Sequence, residues 1–467
     1  MASLDRSSAP RELQGGGAQI ALSTLLVYCV PSVGISFLYV LMIVMYMKFA
    51  VEELGLAASV VGVIFLLSKV WDAVSDPLAG YFSDRTQSRW GRRQSWMLVS
   101  APLILLFSYM AWAPPKGLGE VGLVLWVGIA VFGFYTAFTV FEVPNLALGA
   151  ELTQRHEDRN RVFGARQGAR SFGYLFAFLL GAAILQGATD RMSAAAWLIG
   201  TSGLLTVLLI FFSVWRLPPE RADYVGRGAK SPIAAMRDVW SNPHARLLLF
   251  VYFIEYLGVG GVATMAPFLT EYVLMKPDAL PIVLAAYAVP SLISIPFWVW
   301  LGNRYEKKQA WMTAMIVAAT GFGGLLFVSQ GAVIYTAMCF TVAGIGHGCG
   351  NILGQSLKAD IIDYDELKTG ERKEGAYFAA WNFMHKLGIG LMVGAVGISL
   401  DVAGFVPNGE QTETVKTVMV VLIAAIPFVG YLVGIAAFSR FRLYRADHDA
   451  VRSGLAQRAA LQSETGL

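Results

Sequence analysis

Charged side chains are scarce in this chain of 467 residues: Asp, Glu, Lys and Arg make up 15% of it, whereas 56% is hydrophobic. A chain with so little charge is too apolar for two ordinary water-soluble domains. The net charge of +4 is spread over short polar segments and forms no basic cluster that would bind nucleic acid. We therefore expect the lipid bilayer to be its solvent and expect no nucleic-acid partner.

Residues that build disulfides, metal centres and hydrolytic sites are also few. Cys29, Cys339 and Cys349 lie inside apolar stretches, and five histidines are scattered along the chain, so neither a disulfide framework nor a metal cluster is indicated. The chain contains no G-x-x-x-x-G-K-[ST], H-E-x-x-H or nucleophile-elbow motif, the usual signals of ATP-driven pumps, metalloproteases and lipases. We expect no enzyme and no cofactor, and an ion gradient as the energy source.

Apolar stretches of about 20 residues, the length that crosses a hydrocarbon core, follow one another along the chain. They predict twelve spans, at 19–47, 57–83, 95–113, 122–149, 163–187, 194–215, 244–272, 279–303, 309–328, 331–358, 376–400 and 415–439. The predicted fold is an all-α membrane protein with twelve transmembrane helices in two six-helix halves. The halves would be 1–215 and 244–440, with a cytoplasmic linker at 216–243 and a cytoplasmic tail at 441–467.

Lys and Arg predict the orientation of these spans. Basic loops at 85–93, 155–161 and 304–308 alternate with loops nearly free of Lys and Arg, and basic loops face the cytoplasm. Both termini are then cytoplasmic, and the loop with Glu52 and Glu53 is outside. We expect a monomeric, multi-pass protein of the cell membrane, in bacteria the inner membrane, whose partners are membrane lipid and a small-molecule substrate.

Ionisable groups inside the predicted spans point to function, because a charge at the bilayer centre is unfavourable by about 2.5–3.5 kcal/mol on insertion scales. Lys69, Asp72 and Asp76 share one face of the second span, with Ser75 beside them. Thr139 and Glu142 precede Pro144 on the fourth span. If the two helices are neighbours, their oxygen atoms could bind sodium, which prefers several oxygen ligands, and a proton on one carboxylate is the alternative.

Four further groups in the spans allow two interpretations each. Lys386, one turn after Asn382 on the eleventh span, needs an anionic partner and is either half of a static ion pair or part of the working site. Arg166 and Arg170 on the fifth span either extend to the cytoplasmic interface or contact substrate. Glu255 on the seventh span either hydrogen-bonds a neighbouring helix or binds substrate or a coupling ion.

Two stretches resemble the glycoside-pentoside-hexuronide:cation symporters, the melibiose-permease-like branch of the major facilitator superfamily. KVWDAVSDPLAGYFSDRTQSRWGRR, residues 69–93, is similar to the W-D-x-x-x-D-P signature and the basic loop of that family. ADIIDYDELKTGERKEG, residues 359–375, followed by Lys386, is similar to its D-x-x-[DE]-Y-x-E-x-K-T-G-x-R-x-E-G stretch and helix XI lysine. The resemblance covers both halves.

The resemblance implies a role for particular residues. The coupling cation, sodium or a proton, would bind at Asp72, Asp76 and Thr139, with Ser75 nearby. Glu142 would be the acid of the sugar site, Lys386 would reach toward these carboxylates, and Arg166 or Arg170 would be the fifth-helix arginine. Beside the resemblance, we count Asn382 and Lys386 among the candidate substrate-binding residues. Because the three carboxylates would then carry surplus negative charge, a cation would neutralise them, and substrate binding would permit the halves to rock by alternating access.

Two departures from the family pattern concern the substrate. The span at 19–47 has no acidic residue, where sugar-carrying relatives often have an aspartate, and Leu146 stands where an aromatic side chain would stack on a sugar ring. The expected function is cation-coupled symport of a sugar, glycoside or related small organic solute. The alternatives are a symporter of lysolipids or other amphiphiles, a non-transporting membrane sensor and a membrane-embedded enzyme.

Opposite charges on the two halves also predict a cytoplasmic gate. One half carries basic residues and one acid, the other an acidic segment at 360–374. The gate residues would be Asp84, Arg85, Arg89, Arg92 and Arg93, with Asp363 and Glu374 opposite them. We expect these groups to pair only when the protein is open to the outside.

Overall fold

The computed structural model describes residues 20–153, 156–218, 239–370 and 374–465, and regular structure in these ranges is helical. Eleven of the helices are long and apolar enough to cross a membrane. The predicted linker, 216–243, lies largely outside the described residues, which resume at 239. Within the predicted tail, residues Arg445–Thr465 form the helix α13.

The first half contains six spans, each within a few residues of its predicted position. A short helix, Tyr46–Glu52, follows the first span. The fifth span continues through a wide turn at Ala177–Gly181 into Ala182–Gly187. The spans are α1 (Leu22–Val44), α2 (Ala58–Arg85), α3 (Arg92–Trp112), α4 (Glu120–Glu151), α5 (His156–Phe176) and α6 (Arg191–Arg216).

The second half repeats the arrangement. Here the second span continues from Ile293 into Ile295–Arg304. The sixth span continues through Val421–Ala425 into Ile426–Phe438. The six helices are α7 (Pro243–Phe268), α8 (Leu280–Ile293), α9 (Lys307–Leu325), α10 (Val333–Thr369), α11 (Glu374–Ala403) and α12 (Glu413–Val420). The fold-class prediction is confirmed.

The helix α9 is the one predicted span that falls short of the apolarity of the others. It begins with Lys307, Lys308 and Gln309 and is rich in alanine and glycine. It nevertheless packs between α10 and α12 and buries Trp311 and Phe322 completely. Burial against neighbouring helices, more than exposure to lipid, therefore holds α9 in place.

The structure corrects the predicted end of the tenth span. We expected a span ending near 358 and then a loop, but α10 continues as helix to Thr369 and stops at Gly370, whose φ of +80° is left-handed. Glycine reaches this conformation without steric penalty and commonly ends helices. The acidic segment of the predicted gate is thus mostly a helix that extends beyond the apolar span.

Close packing of α2 against α11 joins the two halves. A Cβ atom added at Gly397 would lie 2.2 Å from the carbonyl oxygen of Ala58, and one at Gly62 would lie 3.0 Å from that of Val393. Small residues allow transmembrane helices to approach this closely. The acids of α2 and the lysine of α11 are thereby brought within reach of each other.

Candidate functional site

The acids of α2 face α11 of the second half. Asp72 is buried, and its carboxylate lies 3.6 Å from the ammonium of Lys69 on the same helix. The Lys69 ammonium also lies over the ring of Tyr135, 3.0 Å from its centroid. This cation–π contact partly offsets the unfavourable desolvation of the buried ammonium of Lys69.

Lys386 of α11 joins both acids across the boundary between the halves. Its ammonium lies 3.2 Å from Asp72 Oδ2 and 2.7 Å from Asp76 Oδ2. Thr139 of α4 donates a hydrogen bond of 2.8 Å to Asp76 Oδ1. These contacts form one cluster, which we call the central acid cluster: Lys69, Asp72, Asp76, Thr139 and Lys386.

Two other predicted residues lie apart from this cluster. Ser75 is buried on α2, but its hydroxyl has no hydrogen-bond partner among the described residues. Asn382, one turn before Lys386, is exposed, and no contact joins it to the acids in the described part of the chain. Spacing along one helix predicts which side chains share a face of that helix. It does not determine which of them contact a neighbouring helix.

Glu142 forms a second cluster with the two arginines of α5. Its carboxylate pairs with Arg166 at 2.7 Å and also with Arg170. Arg166 donates to Asn145 Oδ1 at 3.0 Å, and Arg170 donates to the Tyr174 hydroxyl at 2.8 Å. Of the two interpretations of these arginines, extension to the interface is therefore wrong, because the half-buried carboxylate of Glu142 attracts both inward.

Sequence reasoning missed the aromatic groups beside the two clusters. Tyr39 of α1 stacks on Phe138 of α4 with ring centroids 4.6 Å apart, and its ring centroid lies 5.4 Å from the Lys69 ammonium. Phe138 stands one turn before Glu142. An aromatic pair is thus present in this region, although Leu146 itself is not aromatic. The position of Tyr39 along α1 did not indicate that it would form this pair.

The balance of charge contradicts the predicted negative surplus. The two clusters contain three carboxylates, Asp72, Asp76 and Glu142, and four cationic side chains, Lys69, Lys386, Arg166 and Arg170. The expectation counted the acids but not the arginines that reach Glu142. In this arrangement the ammonium of Lys386 already pairs with both Asp72 and Asp76.

The ends of the two halves differ in how they are joined. At the end predicted to be outside, Asp401 of α11 accepts hydrogen bonds of 3.0 and 2.8 Å from the backbone N–H groups of Ala58 and Ser59 at the start of α2. Glu52 accepts a bond of 2.5 Å from the Tyr272 hydroxyl, and Lys48 pairs with Glu271 at 2.7 Å. The halves are tied together at this end.

At the end predicted to be cytoplasmic, the ion pairs that gate residues form with other described residues of α2 to α4 lie within the first half. Arg93 pairs with Asp84 and with Glu151, each at 2.8 Å, and Arg92 pairs with Glu151 at 2.6 Å. Glu151 was not among the predicted residues, because it lies far along the chain from the motif.

The other gate residues also contact their own half. Arg85 stacks on Tyr81, and Arg89 lies near the ring of Trp90. Asp363 lies 3.3 Å from His448 of the tail helix α13, and the side chain of Glu374 lies outside the described residues. Pairing between the halves in an outward-open state stays a prediction.

These observations define a multi-pass membrane transporter with the major facilitator fold and a charged site between its halves. Residues 27–445 match the family model described as MFS/sugar transport protein, and the chain belongs to this family. The predicted relation to melibiose-permease-like symporters is confirmed. The protein is a transporter and not an enzyme.

Several named proteins are similar over most of this chain. The isoprimeverose transporter of Lactiplantibacillus pentosus is 24% identical over 86% of this chain and 84% of its own length. The glucuronide carrier protein homolog of Escherichia coli (strain K12) is 22% identical over 88% and 90%. The sodium-dependent lysophosphatidylcholine symporter 1 of Mus musculus is 24% identical over 86% and 81%.

Solved structures of low sequence identity share the fold. The crystal structure of the nucleoside transporter NupG superposes with a TM-score of 0.67 and covers 89% of this chain and 99% of its own, at 12% identity. At this identity the likeness supports the fold alone.

Proposed function

We propose that this protein is a symporter that couples sodium, or a proton, to the movement of a small organic solute bearing an anionic group, such as a uronide. The observation that carries the proposal is the double ion pair of Lys386 with Asp72 and Asp76. A lysine from one half then occupies the place at which a cation would bind to the other half.

Competition between the cation and Lys386 couples the two binding events. Sodium bound by the carboxylates of Asp72 and Asp76 and the hydroxyl of Thr139 displaces the ammonium of Lys386. The freed ammonium attracts an anion, so solute binds better after sodium than before it. Because the same pairs join α2 to α11, their exchange also changes how the halves are held together.

The charge balance favours an anionic solute over a neutral sugar. The site already has one more cationic side chain than carboxylates, and sodium adds a further positive charge. A carboxylate or phosphate on the solute would offset part of this positive charge, and Arg166, Arg170 and Lys386 are suitable donors to either. Among the relatives, a glucuronide carrier homolog and a lysophosphatidylcholine symporter are named for solutes that bear an anionic group, whereas the isoprimeverose transporter is named for a neutral disaccharide.

A binding screen tests both parts of the proposal. The melting temperature of the purified protein is measured with isoprimeverose, an aryl glucuronide or lysophosphatidylcholine, each in sodium, lithium or choline chloride. We expect the glucuronide to stabilise the protein more in sodium than in choline. Stabilisation by lysophosphatidylcholine alone would assign the lysolipid alternative. Stabilisation by the neutral disaccharide alone would contradict the anionic solute, and equal effects in all salts at several pH values would contradict cation coupling.

A further inference from the structure

A third buried acid lies in the second half, outside both clusters. Glu255 is near the middle of α7, its residue is 2% exposed, and Trp311 Nε1 of α9 donates to its Oε1 at 2.7 Å. In the part of the chain that the structure describes, no Lys or Arg lies within ion-pair distance of it. Lys358 donates to Gln355 and Lys386 to Asp76.

The second oxygen of Glu255 faces the backbone of α10. A Cβ atom at Gly350 would lie 2.3 Å from Glu255 Oε2, so only glycine leaves room for the carboxyl group at this position. Backbone N–H groups in the interior of a helix are already bonded to carbonyl oxygens one turn earlier. Helix α10 therefore supplies space for Oε2 but no backbone hydrogen-bond donor.

The titratable groups around Glu255 are aromatic hydroxyls, imidazoles and a thiol. Tyr252 and Tyr256 flank it on α7. The neighbouring helices contribute Tyr287, Cys349 and Tyr431. His347 and His385 lie against the ring of Tyr256. The buried hydroxyls of Tyr287 and Tyr431 have no hydrogen-bond partner among the described residues.

We propose that Glu255 is a proton-binding site of the second half, separate from the central acid cluster. An ionised carboxylate buried in the membrane with one hydrogen bond and no cation is strongly unfavourable, and binding of a proton removes the charge. The proton comes from water and forms the O–H bond at Oε2, and it returns to water when the carboxyl group becomes hydrated. This proposal goes beyond the proposed function, which puts the coupling cation at Asp72 and Asp76.

Infrared difference spectroscopy of the purified full-length protein tests the proposal without any solute. We expect a protonated-carboxyl C=O band at neutral pH that shifts in D2O, disappears as the pH is raised, and is absent from Glu255→Gln at neutral pH. Glu413→Gln, which changes an exposed glutamate at the start of α12, is the matched control and should keep the band.

A second variant keeps the test decisive if Glu255→Gln fails to fold. Trp311→Phe keeps the acid and removes its hydrogen-bond donor, so it should shift the frequency of the same band. A parent spectrum at neutral pH without such a band would overturn the proposal. A band that neither exchanges in D2O nor titrates, or that Trp311→Phe leaves unchanged, would overturn it as well. None of these outcomes depends on whether the protein carries a uronide.

Discussion

At the scale of the residue, the central question is what Lys386 does for Asp72 and Asp76. A static ion pair would serve only to hold α2 and α11 together. A competing internal cation would make the acids available whenever a metal ion or proton takes its place. The two interpretations differ in how a variant should respond to sodium, because only the second allows sodium to replace the missing ammonium.

We predict that Lys386→Ala is destabilised and that sodium reverses much of this loss. Breaking a buried ion pair lowers the free energy of unfolding by about 3–5 kcal/mol, because one partner is left uncompensated. Melting temperatures in sodium chloride and in choline chloride measure the effect. Lys416→Ala, which breaks an exposed pair with Glu413, is the control and should change stability by less than about 1 kcal/mol. An equal loss in both salts would support the static pair.

Asp72 and Asp76 should be required for coupling more than for folding. We predict that Asp72→Asn and Asp76→Asn each abolish uptake of an aryl glucuronide against its gradient in proteoliposomes, while exchange down the gradient persists. Each change removes one of the two charges that hold the cation. A variant that still accumulates solute like the parent would exclude its acid from the cation site.

At the scale of the element, the contact of α2 with α11 depends on the absence of side chains. A Cβ atom at Gly397 would collide with the Ala58 carbonyl, whereas nothing lies within 4 Å of one at Gly128 on α4. These two glycines separate the effect of the contact from the general preference of a helix for alanine.

We predict that Gly397→Ala and Gly128→Ala change stability in opposite directions. The first forces α2 and α11 apart and should lower the free energy of unfolding by about 1–3 kcal/mol, as overpacking typically does. The second replaces glycine by alanine inside a helix and should raise it by about 0.5–1 kcal/mol. Thermal melts of both variants measure this. An unchanged melt for Gly397→Ala would mean that the halves tolerate a wider separation here.

At the scale of the whole molecule, the contacts between described residues differ at the two ends. Asp401, Tyr272 and Lys48 join the halves at the end predicted to be outside, whereas Arg93 and Asp84 pair within one half at the other end. Alternating access requires this asymmetry to reverse.

We predict that cysteines introduced at Arg89 and Asp363 crosslink little in the otherwise unchanged protein. They should crosslink more when Asp401→Ala and Tyr272→Phe together remove the hydrogen bonds that join the halves at the outer end. Loss of those bonds favours opening at the outer end and closure at the cytoplasmic end. Crosslinking by a short bifunctional reagent, followed by electrophoresis, measures the yield. Since Cys29, Cys339 and Cys349 are buried, the protein without added cysteines is the control. Equal yields in both backgrounds would contradict the predicted gate.

The sequence by itself determined the solvent, the number of spans and the face on which Asp72 and Asp76 lie, because hydropathy and helical periodicity are local properties of the chain. The motif at 69–93 also indicated the family, which the match to the family model confirmed. Only the tertiary structure decided which charges meet. Arg166 and Arg170 turn to Glu142, Glu151 receives Arg92 and Arg93, and Glu255 has space against Gly350. These contacts depend on how helices distant in the sequence pack together. In the low dielectric of the interior, an ionised group pairs with the opposite charge that this packing places beside it.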